Sequence, residues 1–410
     1  MAEMVIRNRT FLIIMLGALD TITPVSIDMY LPAFPKIAGE FQVTVEKVAL
    51  SVSSYFLGFA IGQIVYGPLL DKYGRKRPLY IGMALYIIAS AGCILSGSLQ
   101  VFLIARFLQA LSGCVAAVAA IAMVRDFFTA GESARILSLM ILILGASPLL
   151  APTIGSFIVT VFGWHYVFIA LASVALILLV IIFFFLPEGH VPDKSISLRP
   201  ASILRGFGNI LLEPQFLIYT LAGSFSFAGL FVYVAGSPGV FMKEFHMNAK
   251  VYGGIFAFLS VGFIGGSQLN HYLTRKYLNQ IIFKVILIIQ VMASIIYLAG
   301  VSADWFGIGG NISCLLVILF CAGLSYPNAV AVALSRFTKN TGSAAALLGF
   351  IQIGIGGVIS SGIGFLNFRE DLSVSLVIAS STVIAFLVFL SGKIFFQKTE
   401  PENKELISAR

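Results

Sequence analysis

This sequence is poor in charge: 11% of its 410 residues are Asp, Glu, Lys or Arg. Water-soluble domains carry about 25%, so the deficit excludes an ordinary soluble fold. Cysteine is scarce as well. The four present (Cys93, Cys114, Cys314 and Cys321) lie inside apolar runs without metal-ligand spacing. That excludes a disulfide framework and a structural zinc site. No glycine-rich phosphate loop followed by Lys and Ser or Thr occurs, so nucleotide-driven pumping by this chain is excluded. His165, His190, His246 and His271 sit between apolar runs or at their ends, with no paired metal ligands. No enzyme, cofactor or metal is expected.

What the chain has is apolar length. Hydrophobic residues make up 59% of it, and the mean hydropathy is +0.99. Twelve apolar runs, from 11–31 through 135–160 to 373–397, are each long enough to cross a hydrocarbon layer of about 30 Å. Within a bilayer every backbone N–H and C=O must bond inside the protein, so these spans are expected to be helices. The first reads as an uncleaved helix, since no small-residue cleavage site follows it and it runs on past Asp20.

The net charge of +8 reports orientation rather than a nucleic-acid partner. Of the 26 Lys and Arg, Arg106 lies within a span, and Lys36, Lys47, Lys243, Lys250 and Arg369 lie in loops on one side. The rest fall on the other side, which the positive-inside rule makes cytoplasmic, together with both termini. Loops are short except 187–214, "PEGHVPDKSISLRPASILRGFGNILLEP". This polar segment is read as a cytoplasmic linker between a six-helix bundle over 1–186 and a second over 215–410. A weak repeat supports the division: "GPLLDKYGRKR" from Gly67 is echoed by "GSQLNHYLTRK" from Gly266. Internal symmetry of this kind marks duplicated transporter folds.

Three motifs stand out. In "GPLLDKYGRKRP", Gly67 is expected to permit close helix approach, Gly74 a tight turn, and Asp71 hydrogen bonds from the neighbouring helix end or an arginine. In "LIARFLQALSG", Arg106 is followed by Gln109 and Gly113. In "LGASPLLAPTIGSF", Gly145, Pro148, Pro152 and Gly155 predict a kinked, closely packed fifth helix. Together with twelve spans, the first loop resembles the signature loop of the major facilitator superfamily, which in that family latches the two halves in the outward-facing state. The Arg106 stretch is similar to the family's fourth-helix motif, associated with proton transfer, with Ala110 where glycine is usual. The helix-5 run resembles the motif marking exporters, with Ala151 and Ser156 replacing glycines. "SIDMYLPAFP", "YPNAVAVAL" and "GSAAALLGFIQ" resemble the bicyclomycin-resistance group of drug:proton antiporters.

Asp20 and Asp28 interrupt the first span. A carboxylate at a bilayer centre costs roughly 2.5–3.5 kcal/mol on insertion scales, so intramembrane acids are functional candidates. Eight helical residues place them about 12 Å and 80° apart, able to face one cavity. Asp20, with no base in its own span, is the expected proton carrier. Asp28 lies at the depth of Arg106, its expected partner. With Arg106 charged, the two acids leave the first half at −1, open to neutralisation by a proton or by a cationic drug. The second half offers uncharged groups, and Tyr30, Gln109, Tyr233, Asn328 and Gln352 are the substrate-cavity candidates.

The expected protein is therefore an all-α membrane protein of twelve transmembrane helices in two pseudo-symmetric six-helix bundles, a major facilitator fold. It would be a monomer in the bacterial inner membrane. By resemblance it exports small lipophilic or cationic drugs in exchange for protons, with no nucleic-acid partner. A proton-coupled importer of a neutral nutrient such as a sugar remains the open alternative.

Overall fold

The computed structural model describes residues 9–128, 140, 147, 150–187, 192, 207–337, 341–366 and 368–408. Among them every regular element is helical. We label the long helices α1 (Arg9–Asp28), α2 (Val45–Tyr73), α3 (Lys76–Ile94), α4 (Leu99–Phe127) and α6 (His165–Phe185), with the shorter α5 (Leu150–Val161) between the last two. The others are α7 (Pro214–Pro238), α8 (Ala249–Leu273), α9 (Asn279–Ser302), α10 (Ile308–Leu334), α11 (Thr341–Ser361) and α12 (Glu370–Ser408). Among the described residues eleven helices are long and apolar enough to cross a membrane, all but α5. Most of the 187–214 segment, with Gly145 and Pro148, lies outside the described residues.

Local chemistry sets the boundaries. Ser98 caps α4 by accepting from the Val101 N–H, and Asn248 caps α8 by accepting from the Val251 N–H. Gly74 turns the chain from α2 into α3 at φ +82°, a conformation that a side chain disfavours. The first span is not the single helix to residue 31 that its apolarity suggests. It ends at Asp28 and restarts as a 3₁₀ turn (Leu31–Ala33) and a short helix (Phe34–Glu40). Pro32 and Pro35 occupy first-turn positions of these pieces, where their missing N–H groups cost nothing.

Glycines set close helix contacts in both halves. A Cβ at Gly58 would meet the Phe107 carbonyl, and one at Gly62 would meet Cys114 and the Leu111 carbonyl. In the second half Gly262 meets Leu316 and Gly266 meets the Phe320 carbonyl. Gly58 and Gly62 thus bring α2 close to α4, as Gly262 and Gly266 bring α8 close to α10. Small residues at this spacing let membrane helices pack backbone to backbone. Gly67, by contrast, is not a packing glycine, because its Cβ position faces open space.

The halves meet at one end. There Lys243, just beyond α7, bridges Glu46 on α2 and Glu370 on α12. Ser53 and Ser360 hydroxyls are 2.8 Å apart, and Phe56 and Phe231 rings stack edge-on at 4.4 Å. Gln63 lies against Gly349 farther along the same α2–α11 seam. One apolar cluster at this Glu46 end draws residues from both halves, including Ile27, Tyr30, Tyr233 and Tyr252. Towards Gly74 the cores part: Leu16, Leu70 and Met123 join a cluster of first-half residues, and Phe216, Leu347 and Phe389 join one of second-half residues. The two halves are closed at the Glu46 end and separate at the Gly74 end.

Cysteines at Ser53 and Ser360, with the four native cysteines replaced, should form a disulfide under mild oxidation, since the two hydroxyls already touch. After cleavage at a protease site placed in 187–214, the fragments should run joined on a non-reducing gel. Fragments that separate would contradict closure at this end.

Candidate functional site

Arg106 is fully buried on α4. Its guanidinium carbon lies 4.1 Å from the Tyr30 ring centroid and 4.4 Å from that of Tyr55. One amino group donates to Gln109 Oε1 at 2.5 Å and the other to the Ser26 carbonyl at 3.1 Å, while Nε has no partner. Aromatic faces and fixed dipoles stand in for a counter-ion, the arrangement in which cation–π attraction is strongest because water is excluded. Gln109 passes the bond on to Ser90, and Tyr30 donates to or accepts from Ser51. These interactions make Tyr30 and Gln109 supports of Arg106 rather than groups free for a ligand.

The expected pairing of Arg106 with Asp28 is not formed. No ion pair joins them within 4.0 Å, although their depths match. The reason is angular. Arg106 approaches the side of α1 that carries Ser26, whose hydroxyl contacts Tyr86 of α3 at 2.5 Å. Two residues on, Asp28 is turned about 200° round the helix. Its electrostatic neighbours are Tyr233 and Tyr252 of the second half. Asp28 is buried at 5% exposure, Asp20 is half-buried, and neither is ion-paired or hydrogen-bonded among the described residues. The chain therefore carries two embedded acids without fixed partners.

At the Gly74 end, Arg75 donates to Asp71 Oδ1 at 2.6 Å and to both oxygens of Asp126 at 2.7 and 3.3 Å. Asp71 closes α2 and Asp126 lies in the last turn of α4, so this cluster ties three segments of one half. Asp126 was missed in the sequence because it lies far from the loop motif. Its signal was a lone acid in the last turn of an apolar span. On α5, a Cβ at Gly155 would overlap the Met29 carbonyl, so this glycine admits the backbone at the break after Asp28. Pro152 lies 3.6 Å from the Cβ position of Gly253 on α8, which brings α5 against the other half.

In the second half the cavity candidates divide. Asn328 donates to Asn270 Oδ1 at 2.6 Å and to the Leu324 carbonyl, which ties α10 to α8. Tyr233 stacks on Phe256 at 5.2 Å, and its hydroxyl is unpartnered. Gln352 lines a groove between α7, α10 and α11 with Tyr219, Ser224 and Tyr326.

A model of the Major Facilitator Superfamily matches residues 16–361. The chain belongs to this superfamily. It is thus a multi-pass membrane transporter and not an enzyme. It is 30% identical to the uncharacterized MFS-type transporter YdgK of Bacillus subtilis, over 93% of this chain and 95% of that one. It is 29% identical to the bicyclomycin resistance protein homolog of Haemophilus influenzae, over 93% and 96%. Identity to the multidrug resistance protein MdtL of Escherichia coli is also 29%, over 90% and 94%. Among solved structures, the inward open xylose transporter XylE from E. coli superposes with a TM-score of 0.71 at 14% identity, covering 93% and 96%. That likeness speaks for the fold alone.

Asp28→Asn should keep the apparent melting temperature of the purified transporter, because no buried partner loses its charge. Asp126→Ala should cost about 1–3 kcal/mol by orphaning two donors of Arg75. Thermal unfolding in detergent compares them, and a larger loss for Asp28→Asn would restore the pairing with Arg106.

Proposed function

We propose that this transporter exports lipophilic drugs from the bacterial cytoplasm in exchange for protons, by rocking the halves 1–186 and 215–410 about a central site. The single observation that carries the reading is the pair of embedded, unpartnered acids on α1. A carboxylate buried without a counter-ion favours its neutral form, so each acid gains from taking up a proton whenever the protein buries it. An alternating-access cycle exposes the same site to each side in turn. Proton uptake and release can then drive the change of state. The bicyclomycin and multidrug resistance names of relatives matching nearly end to end support the drug as cargo.

The other parts take roles in this scheme. Arg106, held over Tyr30 and Tyr55, is a fixed positive charge of the first half that pairs with neither acid. Asp71, Gly74 and Arg75 order the loop at the Gly74 end, which the distribution of Lys and Arg puts in the cytoplasm with both termini. In that orientation the Glu46 end is external, and the structure is closed outside and parted inside. Gly155 and Pro152 hold the upper part of α5 against α1 and α8, where the halves must slide.

Expression in a host lacking its own efflux pumps should lower accumulation of a lipophilic antibiotic at least threefold, and a protonophore should abolish the difference. Accumulation that rises instead would make the transporter an importer.

A further inference from the structure

The turn between α8 and α9 carries cations that nothing in the described protein neutralises. Between Glu244 and Asp304 the chain has no Asp or Glu. Both of those acids lie at the far, Glu46 end, where Glu244 follows Lys243 and Asp304 pairs with Arg369. Arg275, Lys276 and Lys284 are exposed and make no ion pair among the described residues. Arg275 meets His271 at 2.8 Å and lies 5.8 Å over the Tyr272 ring, which leaves most of its N–H groups open. Glu213, at the same end of the second half, is already held by Arg336 at 3.1 Å. Backbone bonds from Arg275 to Tyr272, and from Lys276 and Tyr277 to Leu273, fix the turn that presents the charges.

The cluster is placed against lipid. Orientation in a membrane needs cations in a loop, but Lys284 stands inside a span. It lies five residues into α9, about 7.5 Å along the helix axis. Ile281, Val285 and Ile288 flank it on one exposed face, an apolar stripe that meets hydrocarbon. A charge on such a stripe is costly unless its stem carries it to the headgroups. Helical side chains lean towards the N-terminus, and for α9 that is the turn, so Lys284 is directed back to Arg275 and Lys276. Tyr272 and Tyr277 stand exposed beside them, as aromatic residues do at a membrane–water interface.

We propose that this turn binds an anionic phospholipid, its phosphate taken by Arg275, Lys276 and Lys284 and an acyl chain lying along Ile281, Val285 and Ile288. A zwitterionic lipid would bring its own ammonium into a cluster of three cations, whereas an anionic headgroup brings negative charge alone. A soluble anion gains nothing from the apolar stripe and would have to leave water to reach Lys284. The lipid belongs to the inner leaflet in the orientation that Lys and Arg set, but the binding itself depends neither on that orientation nor on the cargo. The turn lies at the end where the halves are parted, so the lipid anchors the second half to the membrane there without touching the first.

The test is lipid binding to the purified full-length transporter in detergent, read by native mass spectrometry from equimolar phosphatidylglycerol and phosphatidylethanolamine. The wild type should retain phosphatidylglycerol about tenfold more strongly, or better. Arg275→Gln, Lys276→Gln and Lys284→Gln should each weaken that binding about fivefold, and the triple variant should lose the preference. Lys284→Arg, which keeps the charge, should bind as the wild type does. A control triple at the same end of the first half, Lys72→Gln with Lys76→Gln and Arg77→Gln, should keep one tightly bound phosphatidylglycerol. Glycerol 3-phosphate in large excess should not displace it. The proposal is overturned if the wild type shows no preference, if the control triple loses it equally, or if glycerol 3-phosphate competes. Export is read separately by the accumulation assay and stands or falls on its own.

Discussion

A charge inside a bilayer survives only where something offsets its lost hydration, and this chain places three embedded charges where no ion pair does so. Arg106 is offset by two tyrosine faces, a glutamine and a carbonyl. That scaffold uses α1, α2, α3 and α4 together, so a large part of the first half is arranged around one guanidinium. Asp20 and Asp28 have no such scaffold. For them the remaining way to escape the cost is a proton. An arginine that stays charged and carboxyls that need not is a division of labour suited to a proton-coupled machine.

That division depends on how α1 is built. Ser26 and Asp28 sit two residues apart and so project from opposite sides, one to Arg106 and α3, the other to the tyrosines of α7 and α8. The break after Asp28 is packed against Gly155 of α5 and joins the shared apolar cluster at the Glu46 end. Asp28 therefore lies where the two halves press together, and Asp20 about two turns along the helix towards the end where they part. Separation of the halves at the Glu46 end would have to break the Lys243 bridge to Glu46 and Glu370 and unstack Phe56 from Phe231. None of these contacts is strong alone; together they hold one end shut without making the closure permanent.

Fold class was legible because apolar length is a one-dimensional property, readable residue by residue. So was Gly74, whose turn needs a positive φ. Contacts that depend on helix rotation were not. Depth along α1 and α4 was estimated well enough to bring Arg106 and Asp28 level, yet a 200° difference in direction decides that they do not meet. Close helix approaches were not legible either: Gly58, Gly62, Gly262 and Gly266 pack against a facing helix that only the fold brings near. Tyr55 and the Glu46–Lys243–Glu370 bridge left no local signal, since each acquires its partners from a distant part of the chain. Tyr30 and Gln109, chosen as polar groups for cargo, prove to be committed to Arg106.

The central claim is that the acids of α1 carry the coupled proton. It is tested most directly by proton release when drug binds to the purified transporter in weakly buffered solution. Wild-type protein should release protons on binding, and the amount should fall when Asp20→Asn or Asp28→Asn removes a titrating group, vanishing in the double variant while binding persists. Undiminished release from the double variant would contradict the account and place the proton elsewhere.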